Sequence, residues 1–404
     1  MQRSSDKALN KHSGNFWNVF FIFLKLGLTS FGGPIAHIGY FHKEFVEKQR
    51  WLSENTFSQL LAICQFIPGP ASSQLGFAIG LLKAGWTGAI AAFAGFTLPS
   101  ALLLIAFASA LELFSGELFD ATIHGLKLVA CAVVADAILG MSKKLCFDIK
   151  TKGLTIATMC ALLMFEQSFM QILVILVAAI VGIKYCRGAS IDVSDQMNIN
   201  FGRRTSFGLI IAFIALFLVL LTISTQSNLL LIAQTFYSAG SLVFGGGHVV
   251  LPLLENAVVT NGMVTQADFL AGYGAAQAIP GPMFAFAAYL GAIIPTDHNL
   301  WFGATTALLL MFLPGFLLLS AALPLWQSIA SKPAVTNAIT GINASVVGIL
   351  AAALYDPIIK VSIASNIDLA IATIAFAIIS IWHRSPLWAV LWCISATTLP
   401  MLLN

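Results

Sequence analysis

"CQFIPGPASSQ", from Cys64 to Gln74, sets a Pro-Gly-Pro inside one of the most apolar regions of the chain. Further on the chain reads "AQAIPGPMFAF", from Ala276 to Phe286, with Gln, Ile and Pro-Gly-Pro in the same relative places. A regular helix cannot run through either stretch. Pro68 has no N–H for an i to i−4 bond and its ring clashes with the preceding turn, Gly69 frees the backbone, and Pro70 suits the first position of a new helix. Each run therefore predicts two half-helices that meet at a break.

The surroundings of these breaks are membrane-like. With 404 residues, 58% of them hydrophobic and 9% charged, the chain cannot make the solvated surface of a soluble protein. Apolar stretches of about 20 residues, the length that crosses a hydrocarbon core as helix, follow one another with short polar connections. About thirteen of them fit between positions 16 and 403, which predicts an all-α, polytopic membrane protein with no soluble catalytic domain. Enzyme chemistry finds no foothold: the six cysteines are scattered without a C-x-x-C, the seven histidines lack ligand spacing, and no G-x-x-x-x-G-K-[ST] occurs. The expectation is no metal, no cofactor, no nucleic acid partner and a lipid bilayer as surroundings.

Basic residues set the expected orientation. Arg3, Lys7 and Lys11 in the tail 1–15, the connection "SKKLCFDIKTK" (142–152) and the stretch 184–204 fall on one side, which the positive-inside rule makes cytoplasmic. This places the N-terminus inside and the protein in the inner, cytoplasmic membrane. "HKEFVEKQRW" (42–51) runs against the rule with Lys43, Lys48 and Arg50, so either it packs as an amphipathic helix or the first span is re-entrant.

The duplication extends well beyond Pro-Gly-Pro. "SFGGPIAHIGY" (30–40) matches "VFGGGHVVLPL" (243–253) at a shift of 213, and both Pro-Gly-Pro segments match at 212. "TLPSALLL" (97–104) matches "FLPGFLLL" (312–319) at 215, and "HGLKLVACAVVADAI" (124–138) matches "TGINASVVGILAAAL" (340–354) at 216. Four blocks in order at a nearly constant shift define two related membrane repeats, 16–185 and 229–404, joined by a basic loop and connecting helix at 186–228. A displacement of seven spans turns the second repeat upside down relative to the first, the inverted-repeat architecture of many secondary transporters.

Broken helices within a membrane point to anion binding. The freed N–H groups of Ala71, Ser72 and Ser73 must meet protein, water or a ligand, and a helix N-terminus carries about half a positive charge. Ser72, Ser73 and Gln65 add side-chain donors, whereas the second copy offers Gln277 and Pro280, Gly281, Pro282 followed by Met283 and Phe284. The more polar pocket is therefore expected on the first side. The glycine pairs of "FGGP" (Gly32, Gly33, Pro34) and "FGGG" (Gly245, Gly246, Gly247) form a second pair of breaks, each followed by a histidine, His37 and His248. Lys127, with His124 one turn before it on the same face, aligns with Asn343, so each repeat places a hydrogen-bond donor there. The small-xxx-small run "GFAIG" (76–80) offers a helix-packing face for a homodimer.

Taken together, the duplicated "FGG", the paired "QxIPGP", the Pro-containing third span of each repeat and the basic connector resemble the chromate ion transporter family in its long, two-domain form. The resemblance covers essentially the whole chain. It implies export of chromate from the cytoplasm as a secondary transporter, with sulfate, another tetrahedral dianion, as a competing ligand. Carried onto this chain, the family's motif falls on Gly32, Gly33, Pro34, Pro68, Gly69 and Pro70, and on Gly245, Gly246, Pro280, Gly281 and Pro282. Gly247 departs from the proline of the first copy.

Overall fold

The computed structural model describes residues 15–113, 116–165, 170–187, 201–223, 227–244, 250–326 and 332–403, and among them every regular element is helical. The first repeat comprises α1 (Phe16–Thr29), α2 (Gly33–His42), α3 (Glu54–Phe66), α4 (Ala71–Leu113), α5 (Glu117–Leu145), α6 (Ile149–Met164) and α7 (Met170–Tyr185). After α8 (Arg203–Thr222), the second repeat follows as α9 (Asn228–Leu242), α10 (Val250–Val258), α11 (Gln266–Ala278), α12 (Phe286–Ile293), α13 (Leu300–Ala322), α14 (Pro333–Ala353), α15 (Asn366–Ser380) and α16 (Pro386–Leu403). Five stretches are long and apolar enough to cross a membrane: Ala71–Leu111, Glu117–Leu145, Arg203–Thr222, Leu300–Leu325 and Pro333–Ser362. Shorter apolar helices accompany them at Phe16–Thr29, Met170–Tyr185, Met283–Ile293, Asn366–Ser380 and Pro386–Pro400.

Local signals recur at matching places in both repeats. Ser53 caps α3 by accepting the Thr56 N–H at 3.1 Å, and Thr265 caps α11 by accepting the Asp268 N–H, also at 3.1 Å. Asp148 and Ser365 each close a capping box at the start of α6 and α15. The unbroken run Ala71–Leu113 turns back on itself at Ala84 and Gly85, where Gly85 has φ +66°. Gly80 and Gly88 pack backbone to backbone across that turn, and Gly291 and Gly303 do the same between α12 and α13.

Glycine also fixes how the repeats interlock. Within the first, Gly27 lets α1 lie on the α4 backbone at Phe96; within the second, its counterpart Gly240 lets α9 lie on α13 at Met311. Between repeats, Gly341 of α14 meets the Ala178 carbonyl of α7, while its counterpart Gly125 of α5 meets the Cys393 carbonyl of α16. Likewise α6 packs on α14 through a 2.8 Å bond from Thr155 Oγ1 to the Ala344 carbonyl, and α15 packs on α5 through the 2.8 Å contact of His124 Nε2 with Asp368 Oδ1. Each repeat thus seats its last two helices against the other's long helix, and the halves form one interlocked body.

The outer faces are apolar. Trp17, Phe21, Ile90, Leu102, Ile211 and Phe302 are all exposed, as lipid-facing positions require, and α8 is only 11% buried over its apolar window. The stretch at 42–51 is helical as far as Lys48: α2 runs on into a π-helical turn, Lys43–Lys48, which buries Phe45 against Phe23 and Trp51. The expected small-xxx-small face is already occupied within the chain. Gly76 sits against Phe23 and Phe41, and Gly80 against Gly88, so that stripe is not free for a second copy.

Candidate functional site

Both Pro-Gly-Pro runs break the helix. α3 ends at Phe66 and α4 starts at Ala71, with Gly69 at φ +128°; α11 ends at Ala278 and α12 starts at Phe286, with Gly281 at φ +103°. The first glycine break is present as well, with Gly32 and Gly33 at φ +102° and +73° and Pro34 in the first turn of α2. Gly245, Gly246, Gly247 and His248 lie outside the described residues.

The breaks dock across the repeat boundary, each on the opposite partner. The Gly69 N–H donates to the Val243 carbonyl at 2.7 Å, at the end of α9. Reciprocally, the Gly281 N–H donates to the Ser30 carbonyl at 3.0 Å, between α1 and α2. Each glycine also abuts the proline-containing helix of the other repeat: a Cβ on Gly69 would lie 3.0 Å from the Gly315 Cα, and one on Gly281 would lie 2.9 Å from Ser100 Oγ. Ser100 and Gly315 follow Pro99 and Pro314, the prolines inside α4 and α13. Only a residue without a side chain permits this approach at a positive φ.

At the first break a ring of polar atoms is buried. Ser72 and Ser73 are each 4% exposed, Gln74 donates its amide to the Pro68 carbonyl at 2.9 Å and the Gly315 carbonyl at 3.0 Å, and its backbone N–H reaches the Pro70 carbonyl. Helix geometry leaves the amides of Ala71, Ser72 and Ser73 without intrahelical acceptors. Ser73 Oγ and Gln74 Oε1 are buried with no hydrogen-bond partner, as are Ser30 Oγ, His37 Nδ1 and Thr97 Oγ1 around the other docking point. His37 is 1% exposed, its Nε2 3.3 Å from the Ser30 carbonyl and its ring edge-on to Phe96. Ser30 thus holds the second repeat's break and the first repeat's histidine on one oxygen.

The second break is drier. Met283 and Phe284 open a 3-10 turn, Met283–Ala285, in place of a regular helix start, and Gln277 turns its amide onto the Met283 sulfur at 3.2 Å. Phe77 stacks on Phe316 at 4.2 Å, and Phe93, Phe312 and Phe284 extend that cluster beside the breaks.

Several expected site residues stand apart. Gln65 is exposed although its counterpart Gln277 is buried, so the two glutamines share a sequence position but not an environment. The reason lies in the last turn of α3, which presents that position outward, whereas α11 is buried nearly throughout. Lys127 and Asn343 are half-buried, and among the described residues no hydrogen bond or ion pair ties either to a break. α5 crosses α11 at Gly274, whose backbone lies directly against the Leu126 carbonyl, one residue before Lys127. The Asn343 Oδ1 is buried without a partner. Conversely, Gln74, Ser30, Thr97, Ser100 and Gly315 belong to the docking surfaces without having been singled out. For Ser100 and Gly315 the signal was present in the aligned "TLPS" and "FLPG" blocks.

A sequence profile of the chromate transporter family matches the chain twice, over residues 17–183 and 230–398. The chain belongs to the chromate transporter family. It is 27% identical over 359 residues to a probable chromate transport protein of Synechococcus elongatus, with 87% of each chain covered. It is 28% identical to a chromate transport protein of Pseudomonas aeruginosa (84% of this chain, 80% of that one) and 26% identical to one of Cupriavidus metallidurans (89% and 86%). No solved structure matches the chain significantly. Members of the family are transport proteins, not enzymes, and this one is a multi-pass helical membrane protein.

Proposed function

We propose that this protein is a secondary transporter that exports chromate across the cytoplasmic membrane, its two repeats inverted about an axis in the membrane plane and its N-terminus in the cytoplasm. The observation that carries the reading is the reciprocal docking of the breaks, Gly69 on Val243 and Gly281 on Ser30. Two equivalent contacts, each made by one repeat on the other, are what a two-fold relation between repeats requires. A rocking motion that loosens one contact set while tightening the other alternates access to a site between them.

The anion meets the first break. The amides of Ala71, Ser72 and Ser73 at the positive end of α4 and the free Ser73 hydroxyl supply donors, and Lys127 on α5 supplies positive charge on the path. The wider cradle comprises Gly32, Gly33, Pro34, His37, Pro68, Gly69 and Pro70, with Pro280, Gly281, Pro282 and Asn343 from the second repeat. Chromate and sulfate carry the same charge on the same tetrahedron, so backbone donors separate them poorly, and sulfate competes. Outward movement of a dianion is favoured by an inside-negative potential by about 4.6 kcal/mol per 100 mV.

The test is uptake into inverted membrane vesicles of chromate, sulfate, molybdate and phosphate, with and without an imposed potential. Saturable chromate uptake that grows with the potential and is inhibited by sulfate supports the proposal. Flux that neither saturates nor shows counter-transport replaces it with an anion channel, and preference for sulfate over chromate replaces it with a sulfate transporter.

A further inference from the structure

Away from the breaks, α6, α7, α10, α11 and the end of α14 line an open-mouthed cavity of about 380 Å³. Its walls combine apolar residues such as Leu162, Val259 and Ile349 with Gln171, Gln266 and one buried acid, Glu255. Glu255 is 8% exposed, and among the described residues no basic side chain forms an ion pair with it. The neutral Gln266, which opens α11, lines the same cavity, and its Nε2 is buried without a hydrogen-bond partner. The titratable group that faces it is Asp356, which follows α14 and already has Lys360 as its counter-ion; α6, α7 and α11 bring no ionisable side chain to the cavity.

The place of Glu255 within the repeat is informative. It stands 213 positions after His42, as Gln266 stands 212 after Glu54. In the first repeat His42 Nε2 pairs with Glu54 Oε2 at 2.8 Å, an exposed link from the end of α2 to the start of α3. In the second repeat the corresponding positions on α10 and α11 hold a buried acid and an amide, both lining the cavity. A nearly buried carboxylate without a counter-ion is costly within a membrane protein, whereas the same group with a proton is much less so. A cavity of about 380 Å³ also has room for a short chain of waters. α10 packs on α9, whose end receives the Gly69 amide.

We propose that Glu255 is a proton-binding site of the transport cycle: its carboxylate takes a proton from water in the cavity, forming the neutral acid, and gives it up to water when α10 shifts. The proton is the coupled ion. This rests on the transport reading above.

The experiment uses the full chain in proteoliposomes loaded with a pH-sensitive dye, with a chromate gradient as the drive. Proton flux should accompany chromate flux in the unaltered protein, be lost in Glu255→Gln, and return with a shifted pH dependence in Glu255→Asp. Chromate counterflow, which needs no net proton, should persist in Glu255→Gln and shows that this variant folds. The pH-induced infrared difference spectrum of the purified protein should contain a protonated-carboxyl band that Glu255→Gln lacks. Equal proton flux in Glu255→Gln, an unchanged infrared band, or oxyanion flux that follows a sodium gradient and ignores a proton gradient overturns the proposal. Vesicles that move no oxyanion at all count against the transport reading, and the infrared band then decides the proton site alone.

Discussion

Replacing Gly69 by alanine isolates the energetic meaning of the docked break. The residue holds φ +128°, and an added Cβ would lie 2.7 Å from the Gln74 amide nitrogen and 3.0 Å from the Gly315 Cα. A non-glycine residue in that conformation costs about 1–3 kcal/mol. The Gln74 side chain can swing aside, but doing so gives up its bonds to the Pro68 and Gly315 carbonyls, at about 1 kcal/mol each. The sum is about 3–5 kcal/mol. Gly116 supplies the control, since it has nearly the same φ, +130°, with nothing within 4 Å of its Cβ position among the described residues. Gly116→Ala should therefore show the strain alone, and Gly69→Ala should exceed it by about 2 kcal/mol, the two lost bonds. Denaturant unfolding in detergent measures this difference, and chromate uptake should fall in Gly69→Ala alone. Equal stability losses, or full transport by Gly69→Ala, would refute the claim that close contact at this glycine holds the repeats in register.

Further expectations follow from the same geometry. Gly281→Ala crowds Ser100 Oγ, so adding Ser100→Gly, the residue type found at the equivalent Gly315, should restore part of the lost stability and uptake. No recovery in the double variant would show that the crowding is not the cause. Ser73→Ala removes a hydroxyl with no partner, so stability should hold or rise, whereas the KM for chromate should rise about tenfold, the worth of one hydrogen bond to a charged ligand. An unchanged KM would remove Ser73 from the site. His42 is raised above its ordinary pKa chiefly by its bond to Glu54, so their link stabilises the fold below about pH 6.5 and is lost as pH rises through the raised value. Glu54→Gln should accordingly cost more at about pH 6 than at about pH 9, by under about 1 kcal/mol because the pair is exposed. A pH-independent cost would show that the pair is not the source.

Much of this protein was legible from its residues. Apolar length and sparse charge specified helices in a membrane, and the prolines of the two Pro-Gly-Pro runs specified where helices stop, because a missing N–H has the same effect in any surroundings. The constant shift between blocks announced two copies of one unit. The sequence could not tell which copy each break touches. Gly69 and Gly281 each look like a local hinge in their own repeat, yet the carbonyls that receive their amides lie 174 and 251 positions away, at Val243 and Ser30. Nor could it separate Gln65 from Gln277, which read alike and differ in burial, or find Gln74, whose bonds depend on Gly315 being delivered by another helix. Helix, break and repeat follow from covalent geometry and hydrophobicity within a few neighbouring residues. Contact, burial and the buried acid Glu255 follow from how the halves interlock, where the deciding neighbours are far apart in the chain.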